Sequence, residues 1–156
     1  MTETIAVVRI RGGVHLKPAI KKTLDLLGLK KNNSMVLVSS RPESKGMVSK
    51  VQAFIAFGEI DAKTLATVLK KRGKKSRVIL NDAIRSKEKK AEEDLAAIAS
   101  QITEGKRPQE FGFENLFRLK APKKGFERNG IKRSFSVGGA TGNRGREINA
   151  LIMKMV

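Results

Sequence analysis

The chain has no cysteine, tryptophan or tyrosine, and one histidine among 156 residues. Without thiols, disulfide scaffolds, thiolate zinc sites and thiol nucleophiles are excluded, and the composition fits a reducing compartment. A lone His15 excludes two-histidine metal sites and the His-Glu-x-x-His arrangement. Long apolar runs are also missing. The longest, such as Ile5–Val8 and Met35–Val38, fall far short of the ~20 residues that span a bilayer. The opening MTETIAVVRI carries neither a basic leader nor a small-residue cleavage site, so no signal peptide is expected. Acid is scarce: 15 Asp+Glu face 33 Lys+Arg, a formal net charge of +18.

That imbalance calls for a partner. A compact body with so much uncompensated charge repels itself, and a large polyanion is the usual reason for tolerating the cost. Nucleic acid is the leading candidate and an anionic membrane surface the rival. Length favours one domain, or one domain with an extension, and 40% hydrophobic content can fill a core.

Ile5–Ile10 is apolar and mostly β-branched, which predicts a strand, closed by Arg11-Gly12-Gly13. Pro18 suits a first helical turn; Ile20, Leu24 and Leu27 follow at helical spacing, and Gly28 can end that helix. Met35–Ser39 predicts a second strand halted near Pro42, Ser44–Gln52 a short helix, and Ala53–Phe57 a third strand. The order β-α-β-α-β within residues 1–60 predicts an α/β (α+β) layer with helices on one face, closed as a ferredoxin-like split βαβ.

Residues 61–156 read as a more helical, more basic extension, packed back on the core as one unit. Asp61 can cap a helix over Ala62–Arg72 that stops at Gly73. Asp82 can cap another running to Gln101 or Ile102, with Ala91, Leu95, Ile98 and Ile102 as its apolar stripe. Arg85, Lys87, Lys89 and Lys90 crowd its first half, where the helix dipole disfavours cations. Either that end faces an anion or the charges are merely solvated. Phe111–Leu119 is strand or loop. Ala121–Gly145 is too glycine-rich for regular structure, and Arg146–Met155 predicts a closing helix with Ile148, Leu151, Ile152 and Met155 on one side.

Two stretches concentrate the charge. Lys70, Lys71, Arg72, Lys74, Lys75 and Arg77 form one, with no acid among them. Arg118, Lys120, Lys123, Lys124, Arg128, Lys132, Arg133, Arg144 and Arg146 form the other, against the single acid Glu127. Glycine lets backbone approach a ligand closely, and Lys and Arg supply phosphate contacts. The second stretch therefore reads as an RNA-threading extension anchored by the closing helix. Single-strand binders usually offer aromatic platforms. With seven Phe as the only aromatics, the composition favours phosphate and shape recognition of folded RNA. Glu110-Phe111-Gly112-Phe113 departs from the aromatic strand of RNA-recognition motifs, which leaves these Phe as core or hinge residues.

Catalysis has little to work with. His15 reads as an exposed loop residue or a phosphate contact. Gly138–Gly145 precedes a helix but lacks the Gly-Lys-Ser/Thr ending of a P-loop, and no strand follows it to complete a dinucleotide unit. Its glycines could instead bring backbone N–H groups to RNA phosphates. No enzyme, cofactor, metal, membrane or small-molecule substrate is expected.

The blocks IAVVRIRG (residues 5–12), LDLLGL (24–29), GMVSKV (46–51) and FGEID (57–61) resemble, in order, the archaeal and eukaryotic large-subunit ribosomal proteins of the L-thirty family, called L-seven in eukaryotes. FRL (117–119), KRSF (132–135), GGA (138–140) and RGREIN (144–149) continue the likeness almost to the end. The chain departs from the family's usual residues at Phe57, Asn143 and Lys120–Gly125, and keeps positive charge at Lys123 and Lys124. The resemblance implies a βαβαβ core with an archaeal-type extension. It also implies a non-catalytic cytoplasmic component of the large ribosomal subunit, touching large-subunit rRNA and neighbouring ribosomal proteins. On this reading Arg9, Arg11, Lys45 and Lys50 contact RNA from the core, with the two basic stretches as further contacts. A small DNA-binding, chromatin-type protein is the alternative.

Overall fold

A computed structural model describes residues 4–74 and 91–156, and side chains of the second segment from Leu95 onward. Lys75, Arg77, the Asp82 cap and the cations from Arg85 to Lys90 lie outside the described residues.

Three strands form the centre: β1 (Thr4–Arg9), β2 (Ser34–Ser39) and β3 (Ile55–Glu59). Between them run α1 (Pro18–Leu26) and α2 (Pro42–Val51). β1 pairs antiparallel with both β2 and β3, so the latter two run in the same direction with β1 between them. This is the split βαβ expected of a ferredoxin-like core. Two short strands extend it. β4 (Phe117–Arg118) joins β2 antiparallel and β5 (Gly142–Asn143) joins β3 parallel, giving the order β4-β2-β1-β3-β5.

Side chains alternate across a strand, and here both sides are apolar. Val7, Val36 and Ile55 face α1 and α2, packing with Leu24, Leu29, Val48 and Val51. Ala6, Val8, Met35, Leu37 and Ala56 face the other way. They are covered by α3 (Ala62–Arg72), α4 (Ala91–Thr103) and α5 (Ile148–Met155) through Leu65, Val68, Ile102, Ile148 and Ile152. The helices of the first sixty residues thus share one face, and residues beyond 60 cover the second.

Local chemistry explains most boundaries. Gly28 (φ 79) closes α1 with its own N–H on the Asp25 carbonyl and that of Leu29 on Leu24, while Leu24 and Leu29 are both fully buried. That is the two-bond left-handed helix end, with its accompanying apolar contact. Pro42 begins α2 rather than merely halting β2, because its missing N–H costs nothing at the first helical position. The Asp61 side chain makes no cap hydrogen bond to α3. Its backbone N–H is instead held by the Asn149 side chain at 3.0 Å. Phe111–Leu119 divides into the end of a short 3-10 turn (Pro108–Phe111), a loop and β4.

Candidate nucleic-acid interface

Two of the expected RNA-contacting arginines point inward. Arg9 ends β1 with 5% of its surface exposed. Its Nη1 donates to the carbonyls of Leu29 (2.6 Å) and Lys30 (2.9 Å), and its Nε to that of Arg11 (3.1 Å). It ties the strand end to the α1–β2 connection. Burial lowers its pKa, partly offset by the Asp25 carboxylate, yet a guanidinium remains charged at any working pH.

Arg144 is equally buried. Its Nη1 and Nη2 grip the Glu127 carboxylate at 2.6 and 2.5 Å, while Nε and Nη2 also donate to the Ala140 carbonyl. The guanidinium lies 4.6 Å from the Phe135 ring centroid. Burial by itself would raise the Glu127 pKa. The hydrogen bonds from Arg144 and its own backbone, with the charges of Arg144 and Lys154, more than reverse this and leave it lowered. The only acid in a nine-cation stretch is therefore the partner reserved for its one buried arginine.

Around this pair the glycine-rich segment folds on itself. The N–H groups of Gly138, Gly139, Ala140 and Thr141 donate to carbonyls of Phe135, Ser134, Gly130 and Arg133, and that of Arg144 donates to Phe57. The Gly145 N–H donates to the Asn143 side chain. These amides are engaged by the protein, so the expectation that they cradle phosphates is corrected: a segment without helix or long strand must satisfy its backbone internally.

The FGEID and RGREIN blocks meet in space although 88 positions separate Asp61 from Asn149. A Cβ added to Gly58 would overlap the Gly145 carbonyl, so glycine is required by close approach of two backbones. Asn149 donates to the carbonyls of Glu59 (3.1 Å) and Arg146 (2.9 Å) while accepting from Asp61 N–H. Arg146, 87% exposed at its side chain, sits 3.7 Å from the Glu59 carboxylate.

The other expected cations lie nearer the surface. Arg11 is half-buried over the Phe54 ring at 4.9 Å. Lys45 and Lys50 are exposed on α2, and Lys70 and Lys71 on the last turn of α3. Arg72 reaches the Val156 carbonyl at 3.3 Å. The backbone N–H groups of Lys120 and Lys123 bond the carbonyls of Met155 and Lys154. Arg72, Lys120, Lys123 and Lys154 therefore gather at the C-terminal end of α5, where the helix dipole favours cations. Lys74 is exposed, as are Arg118 on β4, Lys124 in a left-handed turn (φ 66), and Arg128, Lys132 and Arg133 on the glycine-rich fold.

A further basic group was not anticipated. Arg41, Lys106 and Arg107 line a cleft of about 260 Å³ against the β2 edge. A second, Lys17, Lys21, Lys22 and Lys30, surrounds α1 with Asp25 as the neighbouring acid. The signal was present: Lys17, Arg41 and Arg107 each precede a proline that opens a helical turn. A residue before proline is held extended, and each of these cations occupies the N-terminal end that a helix dipole makes unfavourable for it.

Among the described residues, no group of three or more His, Cys, Asp or Glu could hold a metal, and no helix is long and apolar enough to cross a membrane.

Comparison with known proteins agrees with the sequence motifs. Residues 5–55 match the family model described as ribosomal protein L30p/L7e. The protein named large ribosomal subunit protein uL30 in Nanoarchaeum equitans is 39% identical over 154 residues, covering 97% of each chain. Its namesake in Methanoregula boonei is 40% identical over 156 residues, covering 96% of this chain and 98% of the relative. That of Methanococcus vannielii is 35% identical over 158 aligned positions, covering 97% and 98%. Identity at this level along essentially the whole length, through both the core and the basic extension, leaves one conclusion: the chain belongs to the L30p/L7e family of structural, non-enzymatic ribosomal proteins, in its archaeal form.

Proposed function

We propose that this protein is a structural constituent of the large ribosomal subunit, located on the cytoplasmic ribosome, and that it holds folded large-subunit rRNA by phosphate and shape contacts. The observation that carries the reading is the division of labour among its cations. Arg9 and Arg144 serve the protein's interior, while the lysines of α2, of the α3 end and of the α5 end, with Arg128, Lys132 and Arg133 of the glycine-rich fold, are exposed. A rigid body carrying dispersed exposed cations suits neutralisation of phosphates on several RNA segments at once. Exposed Val14, Leu26, Val137 and Met153 offer apolar points for neighbouring ribosomal proteins.

Sedimentation of a native lysate through a high-salt sucrose gradient, with and without ribonuclease, tests the proposal. Co-migration with the large subunit that survives salt and is lost with ribonuclease is expected. Recovery at the top of the gradient, or on DNA, would overturn it.

A further inference from the structure

Two adjoining clefts remain unexplained by phosphate binding alone. The first, about 380 Å³, has Ile5, Val38 and Phe57 as an apolar floor, with Lys45, Ser44 and Ser49 on its rim. The second, about 510 Å³, brings Phe135 together with Lys132, Ser134 and Ser136. Gln52 and Asn143 line both and form their common wall. Asn143 stands in register beside Phe57, because β5 pairs parallel with β3 there. Each cleft thus repeats one composition: a phenylalanine ring, a lysine and several hydroxyls.

None of the other five rings lines either cleft. Phe113 and Phe117 are buried, Phe126 packs against the core, and Phe54 and Phe111 lie beneath Arg11 and Lys106. Phe57 packs in part against the core and Phe135 carries Arg144 at 4.6 Å, and each, being half-buried, presents its remaining surface to its cleft. Among the described residues Glu59 is the only acid on either lining, and Arg146 partly offsets it.

We propose that the paired clefts receive two consecutive unpaired nucleotides of an RNA strand, one base against Phe57 and the next against Phe135, with the Gln52–Asn143 wall between them. A base presents an apolar face and a hydrogen-bonding edge, its ribose a 2′-hydroxyl and its linkage a negative charge. Ring, hydroxyl rim and lysine match these in turn. A single lysine per cleft suits a strand's phosphodiester better than a free nucleotide's polyphosphate, which needs a denser set of donors. This inference rests on the RNA-binding reading above and extends it from phosphate contact to base capture.

The test uses the full chain with two probes: hexauridylate carrying 4-thiouridine, and a fully paired RNA hairpin. Photocrosslinks from hexauridylate are expected in the peptides holding Phe57 and Phe135. The variant Ser49→Trp, which fills the first cleft from an exposed position on α2, is expected to weaken hexauridylate binding about tenfold, the scale of one base–aromatic stack, and to leave hairpin binding unchanged. Crosslinks confined to other peptides, or equal loss on both probes, overturn base capture while hairpin binding keeps the RNA-binding reading intact. Failure of the wild-type chain to bind either probe overturns both.

Discussion

The helical face of the sheet formed by α1 and α2 and the glycine-rich fold of residues 126–145 are both ordered, by opposite means. On the first, Val7, Leu24, Leu29, Val36, Val48, Val51 and Ile55 pack together and the polar groups are mostly backbone pairs of strands and helices. In the second, order rests on turns closed by backbone N–H groups, on Thr141 Oγ1 donating to the Arg133 carbonyl, and on one buried ion pair. Apolar burial is non-directional and tolerates adjustment. A polar network is sensitive to the removal of any member, because each leaves another buried group unpaired. A strongly basic surface cannot bury many of its own residues, so it must be organised from within by a few that are.

The largest effect should come from removing what joins the two regions. A fragment of residues 1–60 leaves Ala6, Val8, Met35, Leu37 and Ala56 uncovered, and it is expected to show no cooperative unfolding transition by circular dichroism. Ile152→Ala, within the fully buried packing of α5 on the sheet, is expected to cost about 2–5 kcal/mol in denaturant melts. Glu127→Ala strands the Arg144 charge in the interior and is expected to cost about 2–4 kcal/mol, the range for breaking a buried pair reduced by the partial exposure of Glu127. Unlike Ile152→Ala, it should selectively raise hydrogen exchange in residues 126–145.

Acid should separate the two regions as well. The folded-state pKa of Glu127 is lowered, so its stabilising contribution is complete above the ordinary carboxylate range and is lost as pH falls through the folded value. The stability of the wild type should therefore decline on acidification more than that of Glu127→Gln, which has no proton to take up there. The smallest structural effect belongs to the surface. Lys132→Gln or Arg133→Gln should change stability by less than about 0.5 kcal/mol, yet flatten the log–log salt dependence of RNA binding by roughly 0.7–0.9 for each phosphate no longer neutralised. An unchanged slope in both variants would remove these two residues from the interface.

Much of the architecture was legible locally. The apolar runs of β1 to β3, helical spacing from Ile20 to Leu27, the Gly28 stop, the Ala62–Arg72 helix and the apolar side of α5 all follow from patterns a few residues long. β5 was not legible and β4 only as one of two options for Phe111–Leu119, since a two-residue strand has no period to detect. At the site, charge density identified the exposed cations of the extension but placed Arg9 and Arg144 among them. Position in the chain says nothing about which arginine has carbonyls or a carboxylate waiting for it. The Arg41–Lys106–Arg107 group was missed for a related reason: its members come from segments more than sixty residues apart and form no run.

Periodicity and net charge therefore pointed to the class of fold and to a polyanionic partner, because both are sums over the chain or patterns within one element. Tertiary structure alone decided which cations face outward, that Glu127 belongs to Arg144, that Gly58 must admit the Gly145 backbone, and that Phe57 and Asn143 stand side by side. Those outcomes depend on neighbours brought together by the burial of both sheet faces, and desolvation acts on a charge only once that burial has closed over it.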